Sequence, residues 1–163
     1  MGQTVALLVE NHAGVLVRVA GLCSRRGWNI ESLTVGPTER QDLSRMTIVL
    51  AAGPEQTGQL AAQLGKLVDV LRVEVLAETA MLARELALLK VRCTAERRPA
   101  LLQVAEVFRA RVVDVASTTV TLEATGDEAK VSALIALLAE FGIAEVARTG
   151  RVALARGPEA LAW

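Results

Sequence analysis

Two asparagines and a glycine are the residues of this chain best suited to chemistry. Asn11 stands three positions before Gly14, and Asn29 follows a second glycine, Gly27. Non-covalent capture of a small molecule's carboxylate is the chemistry they fit. Gly14 opens an amphipathic stretch, and the first N–H groups of a helix have no intrahelical acceptor. Such groups hold a carboxylate, with a dipole contribution of up to ~2 kcal/mol in a buried setting. Glycine leaves that approach open. The amides of Asn11 and Asn29 both donate and accept. Leu16 and Ile30 can line an apolar slot, and His12, Ala13 and Val15 complete the loop. Spacing alone leaves plainer roles open: a tight turn at Gly14, an Asx turn at Asn11, a polar helix-to-strand turn at Asn29. His12 either adds positive charge near a ligand at low pH or points to solvent.

Covalent chemistry has little support. The chain has one histidine, no clustered carboxylates in sequence and no nucleophile beside a base, so no catalytic residue is expected. Cys23 and Cys93 lie far apart in apolar patterns and read as small core hydrophobes, with a disulfide left open. With so few histidines and cysteines, no metal site is expected.

The elements that must position these residues follow from periodicity. Residues 4–10 form a nearly continuous apolar run, which predicts an interior strand. Residues 15–26 form an amphipathic helix stopped by Gly27. Strands are predicted over 29–35, 43–51 and 68–76, and a helix over 54–67 with Pro54 in its first turn. The order then repeats: strand 85–93, helix 99–109, strands 112–116 and 120–124, a helix over 128–138 capped by Asp127, and strand 143–149. Residues 151–155 are a candidate extension of the sheet. Residues 77–84 lack Gly and Pro and read as a short ordered connector. The fold class is therefore α+β, two tandem ferredoxin-like βαββαβ sandwiches over 1–77 and 78–163. Each leaves one sheet face without helices, so a homodimer is expected.

Composition narrows the partners. The 163 residues carry 18 basic and 18 acidic side chains, and 52% are hydrophobic, with a mean hydropathy of +0.39. Residues 1–80 hold 7 basic and 8 acidic groups and residues 81–163 hold 11 and 10, so neither half has the basic excess of a nucleic-acid binder. Aromatic content is 2%, too low for base-stacking platforms. No run approaches membrane-spanning length, and the N-terminus lacks a basic signal-peptide region, so the expected location is cytoplasmic.

A resemblance sharpens this. Glu10, Asn11, Gly14, Leu16, Gly27 and the run Asn29-Ile30-Glu31-Ser32-Leu33-Thr34-Val35 resemble the small regulatory subunit of acetohydroxyacid (acetolactate) synthase. Leu43-Ser44-Arg45-Met46-Thr47-Ile48, Lys66-Leu67-Val68-Asp69-Val70-Leu71 and, more loosely, Glu145-Val146-Ala147-Arg148-Thr149-Gly150 continue the likeness. The resemblance implies an N-terminal ACT domain, an ACT-like C-terminal domain and a non-catalytic role. It implies activation of a separate catalytic large subunit and feedback inhibition by valine or another branched-chain amino acid. Thiamine diphosphate, Mg²⁺ and, as an option, FAD are expected in that partner and no cofactor in this chain. Effector sites in the family lie between the N-terminal domains of a dimer. The matching residues are Asn11, Gly14 and Asn29, with neighbours His12, Ala13, Val15, Leu16 and Ile30. His12 departs from the small or acidic residue usual there. A stand-alone ACT-type amino-acid sensor with another partner is the alternative.

Overall fold

A computed structural model describes residues 2–161. Among them the order is β1 (Gln3–Glu10), α1 (Val15–Arg25), β2 (Ile30–Pro37), β3 (Leu43–Leu50), α2 (Pro54–Leu64), β4 (Val70–Leu76), β5 (Met81–Arg92), α3 (Arg98–Val107), β6 (Arg111–Val115), β7 (Thr119–Gly126), α4 (Glu128–Leu138), β8 (Ile143–Arg148) and β9 (Val152–Ala155). The α+β class and the doubled βαββαβ order are as expected. Contacts group the chain into two units, one of residues 2–83 with 151–161 and one of Arg84–Gly150. Residues 78–83 and 151–161, allotted to the second domain from sequence, thus group with the first unit.

In the first unit the sheet order is β2-β3-β1-β4, with antiparallel pairing throughout. Strand β1 is paired along both edges and buried on both faces, by the helices on one side and by Leu76, Met81 and Ala153 on the other, which is why its apolar residues do not alternate with polar ones. Val5, Leu7 and Val9 pack with Met46, Ile48 and Leu50 beneath Val15, Val19 and Cys23 of α1 and Leu60 and Leu64 of α2. Ala6 points the other way and joins Leu76, Met81 and Ala153 in a second cluster. Residues from the start of β5 and from β9 therefore cover part of the helix-free face. Arg45 lies on that face, and its Nη2 donates to the Ala153 carbonyl at 2.8 Å.

The second unit has the order β6-β7-β5-β8, again antiparallel. Its core joins Leu89 and Val91 of β5, Val120 and Leu122 of β7, Leu101 of α3, and Val131, Leu134 and Leu138 of α4. Asp127 caps α4 as its position implies, accepting from Lys130 N at 2.8 Å. Cys23 and Cys93 are both free and buried.

Two boundaries differ from the periodicity by more than two residues. Helix α2 ends at Leu64, short of residue 67, because after the last helical bond, from Gly65 N to the Ala61 carbonyl, Lys66 and Leu67 close tightened turns onto Gln63 and Leu64. The connector shrinks to one turn at Glu78–Ala80, since nothing in the following residues interrupts the extended chain and β5 begins at Met81. Among the described residues, no helix is long and apolar enough to cross a membrane.

Candidate functional site

The loop between β1 and α1 is fixed by three hydrogen bonds to two neighbouring turns. Glu10 N donates to the Asp69 carbonyl at 2.9 Å, and Asn11 N donates to the Asp42 carbonyl at 2.8 Å. Asn11 Nδ2 donates to the Gln41 carbonyl at 2.8 Å, so its amide braces the neighbouring β2–β3 turn. Gly14 is the N-cap of α1 at φ 91°, a left-handed conformation that favours glycine. It supplies no capping side chain, so the first-turn N–H groups are left for an outside acceptor. Val15 is buried in the core, whereas Leu16 is 43% exposed.

Charge is concentrated on one side of this loop. His12 Nε2 lies 3.0 Å from Glu10 Oε2 and 3.1 Å from Asp69 Oδ1, and Nδ1 lies 3.1 Å from the Ala13 carbonyl. Arg18 Nε donates to Asp69 Oδ2 at 2.5 Å. The Arg18 guanidinium, with His12, holds the Asp69 carboxyl below the usual carboxylate range. The Ala13 carbonyl, then the nearby carboxylates, pushes His12 up, partly offset by desolvation. His12 therefore faces two carboxylates and does not simply point to solvent. A groove of roughly 620 Å³ adjoins it, with Asn11, His12, Leu43 and Leu71 on its walls beside Arg40 and Arg72. Gly14, Val15 and Leu16 do not line this groove.

Asn29 and Ile30 lie at the opposite end of the same sheet. Asn29 accepts from Ala51 N at 3.2 Å, and Ile30 pairs with Leu50, whereas Glu10 pairs with Leu43. The length of β3 separates the two groups by roughly 24 Å, at the usual rise per strand residue. One chain thus brings together residues 11–16 but not Asn29 and Ile30 with them. Arg18 and Asp69 were not foreseen as neighbours of the loop. Arg18 lies one turn into α1 from Gly14, a spacing visible in the sequence. Asp69 is reached only because β4 pairs with β1.

Comparison with known proteins agrees with this architecture. Residues 5–72 match the model of the AHAS small subunit-like ACT domain, and residues 84–157 match that of the small subunit of acetolactate synthase. The chain is 51% identical to a probable acetolactate synthase small subunit of Archaeoglobus fulgidus, covering 96% of this chain and 98% of that protein. It is 45% identical to the acetolactate synthase small subunit of Mycolicibacterium smegmatis, over 98% and 94% of the two chains. The crystal structure of the acetolactate synthase small subunit from Thermotoga maritima superposes with a TM-score of 0.90 at 38% identity, over 98% of this chain and 99% of that one. On fold, site loop and similarity over nearly its whole length, the chain belongs to the acetolactate synthase small-subunit family.

Proposed function

We propose that the chain is the regulatory subunit of an acetolactate synthase, activating a separate catalytic subunit and relaying feedback inhibition by valine. The observation that carries this is the α1 start: a left-handed Gly14 without a capping side chain, held by a loop tied to two neighbouring turns. Its free N–H groups suit the carboxylate of an amino acid.

The distance between this loop and Asn29 supports a site shared by two copies. Strand β2 is the edge of its sheet, and an unpaired edge is a template for another strand. Antiparallel pairing of β2 with its own copy about a two-fold axis sets the Asn29 end of one chain beside the loop end of the other. Asn29 and Ile30 then face Asn11–Leu16 of the twin across the boundary. Such a site changes shape when the two copies shift, so a ligand binds their arrangements unequally. A coupling of about 1–3 kcal/mol gives several-fold to hundred-fold regulation.

Two measurements test the proposal. Calorimetric titration of the purified dimer with valine, leucine and isoleucine reports the effector, and absence of heat with all three rejects the site. Addition of the chain to a purified thiamine-diphosphate synthase subunit reports activation and its reversal by valine. Unchanged synthase activity rejects the regulatory role.

A further inference from the structure

The chain's one histidine is oriented in a way that valine binding does not require. His12 Nδ1 lies 3.1 Å from the Ala13 carbonyl. A carbonyl only accepts, so Nδ1 carries a hydrogen. Nε2 then faces Glu10 Oε2 at 3.0 Å and Asp69 Oδ1 at 3.1 Å, and both of these are acceptors. In the neutral ring, three lone pairs converge on one point. Positive charge must sit among them: a proton on Nε2 supplies it in the metal-free ring, and a divalent cation that displaces this proton satisfies all three together.

We propose that Glu10, His12 and Asp69 form a three-ligand site for a first-row divalent transition metal such as Zn²⁺. The three donor atoms lie within 4.8 Å of one another. Ligands of an octahedral or tetrahedral ion with bonds near 2.1 Å stand about 3.0 to 3.4 Å apart, so the two histidine–carboxylate separations need to adjust by at most a few tenths of an ångström. The surroundings are those of a metal ligand set. The Nδ1–H to carbonyl bond fixes the tautomer and ring plane, as it does for metal-bound histidines. Arg18 holds Asp69 Oδ2 and leaves Oδ1 to the cation. With Arg18 counted against one carboxylate, the site retains a net negative charge. Asp69 is a buried anchor, its side chain 6% exposed, while Glu10 and His12 are half-exposed and leave room for water on the remaining positions. One imidazole with two carboxylates favours zinc, cobalt, nickel or manganese over magnesium or calcium. No local pattern in the sequence marks the set, because Asp69 comes from the turn just before β4.

The proposal does not depend on valine binding. Tag-free, metal-stripped full-length protein is titrated with Zn²⁺ by calorimetry, and the His12 ring is followed by ¹H–¹⁵N correlation, free of overlap because no other histidine exists. One Zn²⁺ per chain is expected, with the Nε2 resonance displaced and Nδ1 still protonated. His12→Ala and Glu10→Gln should each weaken Zn²⁺ at least tenfold, and Mg²⁺ at the same concentration should not displace it. An unmoved Nε2 resonance at stoichiometric Zn²⁺, equal Zn²⁺ binding by His12→Ala, or displacement by Mg²⁺ overturns the site.

Discussion

Replacing Gly14 with aspartate tests the proposed effector site most directly. The residue sits at φ 91°, and a Cβ there would stand 3.3 Å from Arg18 Nη1. That atom is the end of a flexible side chain and can give way. The left-handed backbone costs a residue other than glycine about 1–2 kcal/mol, with aspartate among the better tolerated. The chain should therefore fold with a modestly lowered melting temperature. Its new carboxylate would occupy the α1 start, next to the first-turn N–H groups and Arg18. A ligand carboxylate gains up to ~2 kcal/mol there, so valine affinity should fall by up to about 30-fold. Gly14→Ala supplies the control, because it carries similar backbone strain without the charge and should lose much less affinity. Calorimetry gives the affinities, and valine inhibition of the reconstituted synthase gives the functional readout. Valine affinity within twofold of wild type in a folded Gly14→Asp protein would refute the placement of the ligand.

Further outcomes follow from other parts of the structure. Asn29→Ala keeps the backbone bond to Ala51 and should leave melting temperature within a few degrees of wild type while weakening valine severalfold by calorimetry; unchanged affinity counts against the shared site. Asp127→Ala removes the cap on Lys130 N and should cost about 1 kcal/mol of unfolding free energy in urea, whereas Asp127→Ser should recover most of it. Both cysteines are buried, and burial pushes the Cys23 thiol up, so native protein should react slowly with a thiol reagent and titrate two thiols only after denaturation.

Much of the fold was legible because apolar period and punctuation agreed. The run ending at Glu10, the glycines at 14, 27 and 142 and the cap at Asp127 mark real element ends. The early start of β5 was hidden because an apolar Leu82 faces outward and a charged Glu85 faces inward, which masks the alternation. The site was legible only as a loop. Its electrostatics depend on Asp69, which is distant in sequence and adjacent in the sheet, so no local pattern announces it. Asn29 illustrates the reverse: it was grouped with the loop by family likeness, and the sheet sets it at the far end of the same chain. A two-fold relation between copies is needed to reconcile those facts, and no single-chain periodicity encodes one.

Strand β9 has a consequence for how the protein comes into being. The first unit is not finished when its own six elements have been synthesised. Its outer face waits for Ala153 and the residues around it, which leave the ribosome after all of the second unit. Until then Ala6, Leu76 and Met81 lack part of their cover, so the N-terminal half should linger in a looser, stickier form during translation. A fragment cut after residue 77 would be trapped in that condition, whereas one that retains residues 78–83 and is joined by a short linker to 151–161 should settle into an ordered unit.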